Sequence, residues 1–138
     1  MATMDYQINM IADREFGRVT TPPANYFIAL LTTIPNPNGT NAMEVSAVGT
    51  GYARQILPNN KTALTNSNNG QVFNVSAINY PAATANWGIV ECVGIYDAPT
   101  GGNLLYISAQ PTPKAYNTGD IAFFDIGDTT WTVQNIHD

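Results

Sequence analysis

One thiol, one imidazole and ten carboxylates are what this 138-residue chain offers for nucleophilic, metal or acid–base chemistry. Cys92 lies in the apolar stretch "WGIVECVGIY" and reads as a buried, inert core thiol. As the single cysteine it excludes an intrachain disulfide and a thiolate zinc cluster. The single histidine, His137, is one residue from the end of the chain, where order is usually lost, so a Ser/His or Cys/His pair has no well-placed base. Metal sites built from imidazole fail for the same want of ligands. Carboxylates are the remaining route to catalysis. Glu44, Glu91, Asp97, Asp120, Asp125 and Asp128 could supply the paired acids of a glycoside hydrolase, but most of them flank turns, where Asp closes or caps a loop. "DIGD" at residues 125–128 could bind calcium through carboxylate and carbonyl oxygens. It lacks the ligand alternation of an EF-hand, and turn chemistry accounts for it equally well. The expectation is a protein that is not an enzyme and carries no metal or cofactor.

Two further features invite a functional reading. "DAPTGGN" at residues 97–103 is glycine-rich, but no helix follows it and no Lys-Ser/Thr pair accompanies it, so it reads as a hairpin turn and not as a phosphate cradle. Glu91 stands in a run where Trp87, Ile89, Val93 and Ile95 would share its face, and a buried carboxylate needs a partner. Arg54, one of five basic residues, occupies the similarly apolar "GYARQIL". The favoured reading is a structural pair between Arg54 and either Glu91 or Glu44, with a contact to another subunit as the alternative.

The elements that must position these residues follow from composition and punctuation. Hydrophobic residues make up 44% of the chain and charged residues only 11%, well under the roughly 25% usual in soluble domains, so the surface is polar but sparsely charged. A net charge of −5 without a basic stripe argues against nucleic acid as a partner. No segment approaches the roughly 20 apolar residues of a membrane span, and the N-terminus does not read as a signal peptide; synthesis in a cytoplasm is expected. Three Asn-x-Ser/Thr triplets, at Asn38, Asn60 and Asn74, read as chance in an Asn- and Thr-rich chain.

Residues 4–16 predict the one helix, with Ile8, Ile11 and Glu15 on a thin stripe, Asp5 near its start and Gly17 as its stop. Pro22 and Pro23 then hold the chain extended, so residues 1–24 read as an N-terminal arm with Ile8, Ile11 and Phe16 as contact candidates. Residues 25–138 read as a single all-β domain, a β-sandwich or jelly-roll-like barrel of about seven short antiparallel strands. The strands fall at 25–34, 51–57, 71–80 (one strand or two short ones), 87–96, 104–109, 121–126 and 129–136. The strands at 26–31 and 87–96 are apolar on both faces. A two-layer sandwich covers only one, so they need cover from the arm, a loop or another subunit, and oligomerisation is expected.

In order along the chain stand Glu44-Val45, then Gly51-Tyr52-Ala53-Arg54, then Trp87-Gly88 followed by Gly94-Ile95-Tyr96-Asp97, then Thr100-Gly101-Gly102-Asn103-Leu104-Leu105. Together they resemble a family of small bacteriophage virion structural proteins, labelled as tail-fibre proteins or of the capsid-decoration type. The resemblance spans roughly residues 25–124 and transfers no catalytic or cofactor residue. It implies a virion protein acting through protein contacts, as a homo-oligomer, a trimer being a family-style guess, with the phage major capsid protein or tail and baseplate proteins as partners. A stemless domain suits a capsid decoration, or cement, protein that stabilises the assembled head; a tail-fibre or baseplate component, receptor- or carbohydrate-binding, is the alternative. Exposed Tyr80, Tyr116 or Trp131 could stack on a sugar in that case. The interface or structural candidates are Ile8, Ile11, Phe16, Glu44, Tyr52, Arg54, Trp87, Glu91 and Tyr96.

Overall fold

A computed structural model describes residues 1–18, 21–68, 71–125 and the strand at 130–132. In chain order the elements are β1 (Ala2–Thr3), α1 (Asp5–Glu15), β2 (Asn25–Leu31), β3 (Gln55–Pro58), β4 (Gln71–Phe73), β5 (Ile78–Asn79), β6 (Gly88–Tyr96), β7 (Leu104–Tyr116), β8 (Phe123–Phe124) and β9 (Thr130–Thr132). The protein is all-β with one short helix. The main sheet has five antiparallel strands in the order β1-β7-β6-β2-β3, and two small antiparallel ribbons, β4-β9 and β5-β8, lie apart from it.

The centre of the sheet is the pair β2 and β6, joined in register from Phe27 opposite Tyr96 to Leu31 opposite Cys92. These strands are apolar on both faces because both faces are covered. On one face Ile28, Leu30, Val93, Ile95 and Leu105 pack against Leu64, Ile78, Tyr80, Ala83 and Ala122 from the ribbons and loops. Side chains of this size each contribute about 1.5–3 kcal/mol when removed from water. On the other face Phe27, Ala29, Leu31, Cys92, Tyr96 and Leu104 are closed over by Met4, with Ala42 alongside. Gly94 keeps that layer thin, since a Cβ there would sit 3.0 Å from Leu104 Cδ1 and 3.1 Å from Leu31 Cδ1.

The cover on that second face comes from the chain's own N-terminal segment. β1 pairs with β7 through Ala2 opposite Ile107 and Thr3 opposite Tyr106; Met4 N–H donates to the Leu105 carbonyl at 2.9 Å and Asp5 N–H to the Pro37 carbonyl at 3.0 Å. The doubly apolar strands therefore need no second subunit, and any case for association has to rest on another surface.

Two differences from the sequence pattern have physical causes, and one open choice is settled. β7 continues to Tyr116 through Pro111 and Pro113. It does so by an excursion in which residues 110–113 stand opposite the single residue Glu91, between the pairs Cys92–Ala109 and Val90–Lys114. That irregularity breaks the two-residue alternation of β6, so Val90, Val93 and Ile95 share the ribbon-side core while Cys92 and Tyr96 face the other way. The 71–80 segment resolves into two strands, β4 and β5, with Asn74 buried between them.

Candidate functional site

Glu44, Tyr52 and Arg54 lie close in sequence and meet the distant Tyr96 at one end of the sheet. Arg54 reaches Glu44 through two parallel bonds, Nη2 to Oε1 at 2.9 Å and Nε to Oε2 at 3.0 Å. This fork-to-fork geometry is the strongest form of carboxylate–guanidinium pairing. The Arg54 side chain is only 6% exposed and that of Glu44 25%. The guanidinium carbon lies 3.7 Å from the centre of the Tyr96 ring, a close cation–π contact. Its remaining nitrogen, Nη1, donates to the carbonyls of Ala98 and Gly101, both at 2.8 Å. Tyr52 completes the group. Its hydroxyl donates to Glu44 Oε2 at 2.5 Å and accepts the Leu30 N–H at 3.0 Å. Burial, and next the hydrogen bond to Glu44, push the Tyr52 phenol well above its ordinary pKa.

Arg54 therefore holds the 97–103 hairpin from beneath, and the hairpin is also tied across its mouth. The Asp97 carboxylate accepts from Asn103 N–H at 2.7 Å and from Asn103 Nδ2 at 3.0 Å. Gly102 adopts a φ of +72°, and a Cβ there would stand 2.6 Å from Asp97 Oδ1, so the glycine is required by both backbone and space. The turn reading of this loop holds. Of the two acids considered for Arg54, the structure selects Glu44. Glu91 stands half-buried on β6 opposite the β7 excursion, out of line with Val93 and Ile95.

Behind this group lies an aromatic cluster. Tyr52 and Tyr80 stack at 6.0 Å between ring centres, Trp87 meets both edge-on, and Tyr116 and Phe124 extend the cluster outward. The polar ends are satisfied inside: Trp87 Nε1 donates to the Thr50 carbonyl at 2.8 Å and the Tyr80 hydroxyl to the Ile28 carbonyl at 2.6 Å. Tyr80 is thus a core residue and is closed to a sugar ring, and Tyr116 is half-buried against Trp87. Cys92 is fully buried, and burial pushes its thiol up to about 11. The three Asn-x-Ser/Thr triplets have local structural uses. Asn38 Oδ1 accepts from Thr40 and Asn60 Oδ1 from Thr62 in short turns, and Asn74 Nδ2 donates to the carbonyls of Ser76 and Asp125. Most of the "DIGD" stretch, His137 and the side chain of Trp131 lie outside the described residues.

The remaining candidates, Ile8, Ile11 and Phe16, are on and just beyond α1, and all three are exposed. The side chain that α1 does bury is one that sequence reasoning missed: Gln7, 2% exposed, whose Nε2 donates to the Tyr106 hydroxyl at 3.0 Å. A lone Gln in a polar helix carries no signal of burial. Among the described residues no three His, Cys, Asp or Glu side chains are grouped as metal ligands would be, and no helix is long and apolar enough to cross a membrane.

These features define a small β-domain whose interior polar groups hold its own loops in place. The family model of the podophage GP4 fiber I protein gp80 matches residues 2–132, and the chain belongs to that family of phage virion structural proteins. No curated protein matches the chain.

Proposed function

We propose that this chain is a component of a phage fibre, carried on the virion and acting through protein contacts without turning over a substrate. The observation that carries this reading is the match to a podophage fiber protein over residues 2–132, nearly the whole chain. It favours the fibre alternative over decoration of the head. The chemistry of the chain supports the same view: the best-formed polar group, Arg54 with Glu44 and Tyr52, has its donors and acceptors matched to one another and to the 97–103 hairpin, which fits a scaffold better than a reactive centre.

The test is immunogold localisation on purified virions with copy number from quantitative mass spectrometry. Label confined to the tail, at a few to a few dozen copies, is the expected result. Label spread over the head at hundreds of copies would return the protein to a decoration role.

A further inference from the structure

Of the seven tyrosines in the chain, all but Tyr6 are spent on the fold. Tyr52, Tyr80 and Tyr116 join the aromatic cluster, Tyr96 lies against Arg54, and the hydroxyls of Tyr26 and Tyr106 accept from Asn59 and Gln7. Tyr6, in the first turn of α1, is 40% exposed, and among the described residues neither its ring nor its hydroxyl has a partner. It lines a cleft of about 360 Å³ between the start of α1, the 36–40 turn and the 97–103 hairpin. Met4 and Leu104, both buried, form the apolar side of this cleft. Two of its other residues carry unspent polar atoms. Asn38 uses Oδ1 to accept from Thr40 and keeps its Nδ2 protons, while Asn103 uses Nδ2 to donate to Asp97 and keeps Oδ1. Gly39 and Gly102 leave the approach free of side chains, and no charged side chain among the described residues lines it.

We infer that this cleft binds a neutral sugar ring, with Tyr6 as its platform. The lining selects the class of ligand. An anion would need a cationic side chain and a cation would need a carboxylate, and the cleft offers neither. A wholly apolar ligand would strip water from two amides and a phenol without replacing their hydrogen bonds. An added peptide strand would need a free backbone edge, whereas β6 and β7 are here paired with each other, from Tyr96 opposite Leu104 to the bond from Asp97 N–H to the Asn103 carbonyl. A hexose meets each demand. Its C–H face can pack on the Tyr6 ring, and its hydroxyls can accept from Asn38 Nδ2, donate to Asn103 Oδ1 and do either with the Tyr6 hydroxyl. The walls are also fixed in advance. Asp5 N–H, bonded to the Pro37 carbonyl at 3.0 Å, ties the start of α1 to the 36–40 turn, and Arg54 and Asp97 hold the hairpin, so little ordering is left for the ligand to impose. Tyr6 borders a second cleft as well, but Arg14 and Asp97 line that one, which would suit a charged ligand.

The inference goes beyond the fibre reading and does not depend on where the protein sits on the virion. Its test uses the purified full chain and five free sugars as probes: glucose, galactose, mannose, N-acetylglucosamine and the acidic glucuronic acid. Each is titrated to tens of millimolar while backbone amide shifts are followed by NMR. At least one neutral sugar is expected to bind saturably and to move the amides of Tyr6, Asn38, Gly39 and Asn103 most. Tyr6→Ala is expected to weaken that sugar about tenfold or more, with circular dichroism and the melting temperature unchanged because the side chain is already exposed. Asn38→Asp keeps the acceptor for Thr40 and removes only the Nδ2 donor, and is expected to weaken binding about fivefold. Phe16→Ala, on exposed surface outside the cleft, is expected to change nothing. Absence of saturable shifts with all four neutral sugars would overturn the proposal. So would binding indifferent to Tyr6→Ala, or binding of glucuronic acid in preference to every neutral sugar with the shifts centred on Arg14.

Discussion

The Arg54 group and helix α1 break the same rule in opposite directions. At Arg54 a charged side chain is turned inward, and at α1 apolar side chains are turned outward. The inward charge is complete within the chain: a carboxylate, two carbonyls and an aromatic face take up the guanidinium. The outward apolar side chains, Ile8 and Phe16, are exposed among the described residues. A residue on the unexpected side of a fold thus means different things according to whether its partners are already present. The first kind belongs to the interior of the fold, and the second to its surface.

Substitutions can break each half of this contrast. The largest effect is expected at Arg54→Ala, which leaves Glu44 without its cation and the Ala98 and Gly101 carbonyls without their donor. Urea denaturation is expected to show a loss of about 3 kcal/mol. A loss under about 1 kcal/mol would reduce the pair to an ordinary surface salt bridge. Tyr52→Phe removes the acceptor for the buried Leu30 N–H and a donor to Glu44, and is expected to cost about 2 kcal/mol in the same assay. Alkaline pH provides a third, graded challenge to the inward half. The Cys92 thiol, at 9.0 unperturbed and about 11 when folded, ionises first in the unfolded chain. Between those values the unfolded state holds fewer protons, so folding stability falls as pH rises through that window. The buried phenols of Tyr52 and Tyr80 are also raised, and they extend the fall to higher pH. A flat profile of unfolding free energy across the window would contradict the burial of all three. The smallest effect on folding is expected at Phe16→Asp, within about 0.5 kcal/mol of the parent. If this variant melted early, Phe16 would belong to the fold and the contrast with Arg54 would fail.

Much of this architecture was legible in the sequence, and its gaps are instructive. All seven strand segments appear, because runs such as "NYFIALL" and "GIVECVGIY" have no other stable place than the centre of a sheet. β1 was not legible, since two residues carry no periodicity, and the far half of β7 was hidden because its prolines read as a stop. The membership of the candidate site was partly legible: a carboxylate in an apolar run needs a partner, which pointed to Arg54 paired with either Glu91 or Glu44. What decides between them is tertiary placement: Glu44 bridges to Leu31 at the edge of β2 and comes within reach of Arg54, a contact that local pattern does not encode. On α1 the sequence pattern marked Ile8, Ile11 and Glu15 as one stripe, and the side the helix turns to the sheet buries Gln7 instead. That choice was not legible, because the side a helix presents to a sheet depends on what the sheet offers, and here Tyr106 offers a hydroxyl to Gln7.

The prolines of β7 have a consequence beyond the shape of that strand. An open sheet margin is a template on which another chain's strand can add without limit, and the product of such addition is a fibril instead of a closed particle. In this sheet one margin is β1, only two residues long, and beyond it β7 carries Pro111 and Pro113, which have no N–H to offer an incoming strand; the opposite margin, β3, is four residues and ends on Pro58. Runaway polymerisation through the backbone is thereby discouraged at both margins.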